Sequence, residues 1–427
     1  MNNLSNHYRF IIVGGGSGGI SAAARLKKKF GANSFSANSI ALIEPSENHY
    51  YQPLWTLVGG GVVKKEITQK PMKCLIPNGV TWIKDSVIEL MPESNSLKVS
   101  DSKTFTYDYL ILSPGLKVDF EKIKGLSETL GKNGVCSIYD YHQCEKTFEI
   151  LNSVKSGKAL FTVPPMPVKC AGAPQKIMYL AEELFRDNGV REKTEVHFYS
   201  NSPAIFGVPL FSKALEKVAA RKNIQTHFLQ KLVEIKAEQK IAVFEKVSPP
   251  PVPVAPGCAP VSLPTDPHLG EKTEVKFDVL HVVPPNSPPD FIAKSSLAWT
   301  DGAQKGWLEV DQYTLQCHKF KNVFGLGDVL GTPNAKTGAA IRKQVPLLIE
   351  NLASVIEGKP LTNKYDGYSS CPLITSKHTV MLAEFGYDGK ILPSFPLDPT
   401  KERYVYWLLK RYLLPKIYWW GMLKGLL

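Results

Sequence analysis

No run of about 18 or more uninterrupted apolar residues appears anywhere in the 427-residue chain, so no segment reads as a helix able to span a bilayer. Acid is also scarce. Lys and Arg number 51 against 39 Asp and Glu, a net charge of +12 that draws the molecule toward polyanions such as nucleic acid or an anionic membrane surface. The seven cysteines (74, 136, 144, 170, 258, 317 and 371) lack the short regular spacings of a zinc site or a secreted disulfide framework, and their odd number leaves at least one thiol free. The residues ahead of Phe10 have no apolar core, so no secretory or transit segment is read there. With 43% hydrophobic and 21% charged residues, wholesale disorder is excluded, and the length points to two or three domains.

What is present begins with an apolar run, Phe10-Ile11-Ile12-Val13, that enters Gly14-Gly15-Gly16-Ser17-Gly18-Gly19 and then the alanine-rich Ile20 to Leu26. Strand, glycine turn and helix in this order form a dinucleotide fingerprint. Gly14 permits the turn, Gly16 lets a pyrophosphate approach the backbone, and Gly19 lets helix and strand pack closely, with the helix N-terminus facing the phosphates. A second apolar run, Ile40 to Ile43, ends in Glu44, where an acid binds ribose hydroxyls; the Ser/Asn-rich stretch from Ser34 to Ser39 lengthens the connection. Further on, Phe324-Gly325-Leu326-Gly327-Asp328 presents a carboxylate after a glycine turn, and Lys336-Thr337-Gly338 opens another helix. An aspartate there suits ribityl hydroxyls, and a helix N-terminus aimed at a flavin's pyrimidine edge stabilises the charge of its reduced form. The cofactor expected is FAD, and no metal site is expected.

Several longer strings carry a family likeness. They are Glu44-Pro45-Ser46, Tyr51 to Gly59, Pro167 to Lys176 around Cys170, and Lys364 to Leu373 around Cys371. With the two FAD segments, they make the chain resemble sulfide:quinone oxidoreductases, in particular the branch that includes the mitochondrial enzymes. The resemblance implies an α/β fold with two Rossmann-like dinucleotide-binding domains of the disulfide-reductase type. It divides the chain into a first FAD part at 1–115, an inserted domain at 116–290, a second FAD part at 291–360 and a C-terminal region at 361–427. FAD contacts are expected from Gly14, Gly16, Ser17, Gly18, Gly19, Glu44, Gln52, Val87, Pro114, Gly115, Lys176, Asp328, Lys336, Thr337 and Gly338. It also implies catalysis by Cys170 and Cys371, with hydrosulfide attacking Cys371 and Cys170 adjoining the flavin. A third cysteine of some bacterial members falls at Cys136, but a histidine near it in some of those relatives is here Asp140, so Cys136 is a weaker candidate and a buried thiol is the plainer reading.

The inserted domain adds an argument of its own. Its strand Gly157 to Val163 should be followed by a second glycine fingerprint if NAD(P)H bound there, and Pro164-Pro165-Met166-Pro167 follows instead. Prolines have no backbone N–H for a pyrophosphate, which argues against a nicotinamide donor. Cys170 stands ahead of a helix that Pro174 would open, beside Lys169 and Lys176, a setting that lowers a thiol pKa.

The residues from Arg403 to Leu427 contain no acid and five bases, Arg403, Lys410, Arg411, Lys416 and Lys424. Pro415 is expected to split them into two short amphipathic helices lying in the headgroup layer, with Trp407, Tyr418, Trp419 and Trp420 as interfacial aromatics. Quinone would reach the flavin through this region, with Phe385, Tyr387 and Tyr406 as candidate walls. The expected partners are hydrogen sulfide, ubiquinone or another membrane quinone, a sulfur acceptor (sulfite, glutathione or sulfide) and a membrane surface, with no nucleic acid; a homo-oligomer is compatible with the sequence. The location expected is peripheral, on a bacterial inner membrane or, for a processed chain, the mitochondrial inner membrane. Pro249 to Pro267, eight of nineteen residues proline with Cys258 inside, reads as a mobile loop. The rivals are an NADH:quinone oxidoreductase, a flavocytochrome-type sulfide dehydrogenase and a non-catalytic FAD-binding protein.

Overall fold

A computed structural model describes residues 6–30, 39–249 and 266–427. Most of the Ser34 to Ser39 loop and of the proline-rich stretch, Cys258 included, lies outside them. The strand His7–Val13 is flanked in parallel by Ile40–Ile43 and Thr104–Leu112, with Phe10 opposite Ile40 and Val13 opposite Leu112. Ile40–Ile43 is wholly buried, and the other two end in buried apolar runs, Phe10 to Val13 and Leu110 to Leu112, as interior strands of a parallel sheet do. Thr81–Ile83 extends one edge, and Ser96–Val99 and Val87–Met91 extend the other in antiparallel fashion. The seventh strand, Val323–Gly325, joins in parallel beside the end of Thr104–Leu112, about 200 residues later. That late return carries the Gly327 turn to the same sheet end as the Gly14 turn.

Between these parts the chain leaves through Lys117–Val118 and comes back through Asn286–Ser287, and the two short strands pair. Asp119 is buried at this junction, with Lys122 Nζ at 2.6 Å from its carboxylate. The intervening segment forms a second parallel sheet in the order Val135–Cys136, Val279–His281, Gly157–Val163, Thr194–Ser200, Ile224–Phe228. A smaller antiparallel sheet of Gln230–Lys236, Ile241–Lys246 and Lys272–Lys276 completes it.

The C-terminal region opens with a hairpin, Ser369–Ile374 against Val380–Phe385, in which Cys371 faces Ala383 and Ser370 faces Glu384. Because side chains alternate along a strand, the hairpin has two chemically distinct faces. Cys371, Leu373, Met381, Ala383 and Phe385 pack on the inserted domain. Ser370, Pro372, Leu382 and Glu384 look the other way, into a large cleft.

From Tyr404 to Met422 the chain stays helical throughout, which corrects the expected split at Pro415. Wide π-turns at Leu409–Leu413 and Ile417–Met422 flank the proline and accommodate its missing N–H. Among the described residues no helix is long and apolar enough to cross a membrane.

Candidate active site

The cleft is a cavity of about 730 Å³ lying where both glycine turns, the inserted domain and the C-terminal helix meet. Its floor is the first fingerprint. Gly14 has φ +98°, and a Cβ on it would stand 2.3 Å from the Ser113 carbonyl; one on Gly19 would stand 1.8 Å from the Gly14 carbonyl. Gly16 differs: nothing lies within 4 Å of where its Cβ would be, so the turn leaves space for a ligand there. Gly115 and Gly338 border the same kind of space. A cradle that a methyl group would fill, ringed by backbone amides and a helix N-terminus, fits the diphosphate of FAD. Glu44 accepts from Gly15 N at 2.6 Å and Ser46 N at 2.8 Å, and burial pushes its carboxyl up despite both bonds.

The second segment closes the cavity from the other side. Asp328 lines it, and burial pushes its carboxyl upward, opposed by Lys336 and Lys169. Lys336 donates to the carbonyls of Asp328 (2.6 Å) and Leu330 (2.9 Å) and lies 3.9 Å from the Trp307 ring centroid. Burial lowers it to about 8. Thr337 caps the helix Gly338–Ile356, its hydroxyl accepting from Ala340 N at 3.2 Å.

Cys170 and Cys371 meet across 201 positions of sequence. Cys170 lines the cavity in a left-handed conformation (φ +50°), one place before the turn into the helix Ala173–Asp187. Its amide donates to the Lys336 carbonyl at 2.9 Å, which ties the cysteine loop to the second FAD segment. Cys371 sits behind it, packed against Gly172 so closely that a Cβ there would be 2.5 Å from Cys371 Sγ. The Cys170 thiol is held well below the ordinary range, chiefly by hydrogen bonding with Cys371 and then by Lys176, whose Nζ is 3.4 Å from Cys170 Sγ. Cys371 is pushed up by the same sharing. Burial pulls the Lys176 ammonium down, but the charge of the two sulfurs outweighs it and the net shift is upward. Lys169, expected beside the thiol, instead donates to Gln52 Oε1 at 2.8 Å and lies over Trp55 and Tyr139.

Several expected residues fall elsewhere. Val87 is buried in its strand opposite Val99, outside the cleft. Cys136 is fully buried, and burial drives its thiol to about 12, the state of an inert core thiol. Among the candidate quinone walls, Phe385 packs edge-on to Phe206 on the cysteine side of the hairpin, so the strand turns it away from the cleft. Tyr387 packs on Tyr313 and Tyr365 and donates to the Gln312 carbonyl. Tyr406 stands behind Phe395, which is itself a wall residue.

The C-terminal helix also departs from the headgroup picture. Trp407, Lys410, Tyr418 and Trp419 are buried, while Tyr404, Val405, Leu408, Tyr412, Leu413 and Trp420 are exposed. Lys410 projects into the cleft and donates to the Pro53 carbonyl at 2.8 Å. Burial and then repulsion from Lys176 bring it down to about 7. Tyr418 reaches the fingerprint itself, with His49 bridging from its hydroxyl to the Gly15 carbonyl. Sequence reasoning missed His49, Tyr418 and Glu384 as cleft residues; for Lys410 a lone lysine among Leu, Trp and Tyr was the available signal.

A fold of two sheets with parallel centres, a glycine cradle and a paired-cysteine site defines a dinucleotide-binding oxidoreductase of the disulfide-reductase class, and residues 8–156 match the family model described as pyridine nucleotide-disulphide oxidoreductase. The chain is 45% identical over 423 residues to the mitochondrial sulfide:quinone oxidoreductase of Dictyostelium discoideum, covering 99% of this chain and 87% of that one. It is 40% identical to the mitochondrial sulfide:quinone oxidoreductase of Mus musculus, over 98% of this chain and 87% of that one. The chain belongs to the sulfide:quinone oxidoreductase family, whose cofactor is FAD. Its fold matches the X-ray structure of the sulfide:quinone oxidoreductase from Aquifex aeolicus with a TM-score of 0.78 at 19% identity, covering 98% of this chain and 92% of that one.

Proposed function

We propose that the chain oxidises sulfide at the Cys170/Cys371 pair and delivers the electrons through FAD to a membrane quinone. The observation that carries this reading is that Cys170 faces the same cavity as the glycine cradle, with Lys176 3.4 Å from its sulfur. In the oxidised enzyme the two sulfurs are joined as a disulfide. Hydrosulfide attacks Cys371, the bond between the cysteines breaks, and Cys170 leaves as the thiolate that Lys176 stabilises. Cys371 keeps the added sulfur as a persulfide until sulfite, glutathione or a second sulfide removes it. Bound FAD supplies the two-electron acceptor for the Cys170 thiolate. Asp328 and the Thr337-capped helix start would hold its ribityl and pyrimidine ends, and Gly14 to Gly19 its diphosphate.

Against a nicotinamide donor stand Pro164 to Pro167, which follow the strand Gly157–Val163 where a glycine cradle would be needed. For the quinone and the membrane, the support is the exposed apolar set on the C-terminal helix, together with the exposed Phe395 and Leu397; of these Phe395 and Leu413 also line the cleft, as do Leu409 and Ile417. A bilayer surface, in the mitochondrial inner membrane by likeness to the relatives, would cover this patch and feed quinone into the cleft.

The test is anaerobic stopped-flow absorbance with sulfide, then decylubiquinone. Bleaching of the flavin by sulfide and not by NADH, followed by reoxidation by the quinone, is expected. A flavin that sulfide leaves oxidised would overturn the assignment.

A further inference from the structure

Among the residues that line the cleft, next to Ser394 and Tyr368, stands a carboxylate that none of the steps above uses. Glu384 is 4% exposed and lines the cavity, opposite Ser370 on the face of the hairpin turned away from Cys371. Its Oε1 accepts from the hydroxyls of Tyr368 and Ser394, the latter at 2.6 Å, and its Oε2 from Ser394 N at 2.8 Å. Tyr368 is buried and also lines the cavity. Among the described residues Glu384 is in no ion pair. The other charged or titratable groups nearby are Arg342 and Lys343 on the helix Gly338–Ile356, Lys343 Nζ lying 5.5 Å from the Tyr368 ring centroid, with Tyr406 and Arg403 on the C-terminal segment and Asp398 on the loop before it. A carboxylate sunk this deep beside apolar walls, bonded only to hydroxyls and an amide, suits proton transfer better than structural ion pairing.

We propose that Glu384, relayed by the Tyr368 hydroxyl, donates a proton to the quinone as it is reduced. This rests on the sulfide:quinone reading above. Reduction of a quinone to its quinol takes two electrons and two protons. The electron pair and one proton would be supplied by bound, reduced FAD. For the other, the Tyr368 O–H bond breaks as a quinone O–H bond forms, the proton on Glu384 Oε1 passes to the Tyr368 oxygen, and Glu384 is left as a carboxylate. Solvent at the cleft mouth, beside the half-exposed Leu413, then reprotonates it. While Glu384 is ionised Tyr368 donates to Oε1; once Glu384 is protonated the bond reverses and the Tyr368 hydroxyl is free to turn into the cleft.

The experiment follows the two half-reactions of FAD-loaded Glu384→Gln and Tyr368→Phe by stopped flow. Expected are sulfide-dependent bleaching at the wild-type rate and reoxidation by decylubiquinone slowed about 100-fold in Glu384→Gln, with loss of the wild-type pH dependence of that step and a changed solvent deuterium isotope effect. Tyr368→Phe, which removes a single hydroxyl, should show the same selective loss and guards against a folding defect in the first variant. Reoxidation at the wild-type rate, slowing of both half-reactions together, or a change confined to apparent quinone affinity would each overturn the relay. Failure of the wild-type protein to bleach with sulfide would instead overturn the reading beneath it.

Discussion

The phenolic oxygen of Tyr418 lies 2.7 Å from Ser17 Oγ, across 401 positions of sequence, and 2.5 Å from His49 Nε2. The C-terminal helix thereby holds the first turn of the helix that opens on the glycine cradle, where an FAD diphosphate would sit. Tyr418→Phe removes both bonds and keeps the ring against Tyr51, tilted 35° to it with centroids 4.3 Å apart. A loss of about 1 kcal/mol, roughly fivefold in FAD affinity, is expected from fluorescence of released flavin. Unchanged retention would mean that the contact does not serve the cofactor.

The glycines of the fingerprint should separate by consequence. Gly16→Ala meets no protein atom, so the apoprotein should melt as wild type while FAD content falls. In Gly19→Ala the added carbon meets the Gly14 carbonyl, and the apoprotein should lose about 2 to 3 kcal/mol in urea titration. Equal destabilisation by both would contradict the open cradle.

Cys170→Ser and Cys371→Ser should each retain FAD and each lose sulfide-dependent bleaching, whereas Cys136→Ser should react as wild type. Ordinary turnover in either of the first two variants would break the paired scheme.

Lys410, lowered to about 7, is charged below that pH and neutral above it. Its charge helps hold Cys170 as a thiolate. Lys410→Met should therefore slow bleaching by about tenfold at pH 6, with the deficit closing by pH 8 as the wild-type lysine loses its own proton. A deficit constant with pH would assign the residue to packing.

Burial holds His49 neutral down to about pH 4 and His281 down to about 3. An unfolded histidine takes up its proton near pH 6.5, so the unfolded state binds more protons below that value. The stability these residues contribute is whole above about pH 6.5 and falls as the pH drops toward 4, by up to about 3 kcal/mol for His49. Urea midpoints between pH 7 and 4 should decline, and less steeply in His49→Gln. A parallel decline in both proteins would show that His49 is not a source of the acid sensitivity.

Much of this was legible locally. The runs ending at Val13 and Ile43 are strands because both faces of their sheet are covered, and glycine spacing alone marks Gly16 as the open position. Partnership across long sequence distances was harder to read. Phe385 is one of three candidate quinone walls and its neighbour Glu384 is the cleft residue, because which face of the strand is which depends on the pairing of Ser370 with Glu384. Lys410 reads as a headgroup lysine until the fold supplies the Pro53 carbonyl that it meets. Val87 illustrates the converse: its β-branched side chain, at a strand start opposite Val99, is buried in the sheet.

One side of the segment Tyr404 to Met422 closes the cleft with Lys410 and Tyr418, and the other exposes Leu408, Tyr412 and Trp420. A helix that serves two surfaces obeys thermodynamic reciprocity: whatever factor a lipid surface adds to cofactor affinity, the cofactor must add to affinity for that surface. If a bilayer covers the exposed face and steadies the cleft side, the vesicle-bound enzyme should release FAD more slowly than the free one, and by the same factor the enzyme stripped of FAD should partition less readily onto vesicles.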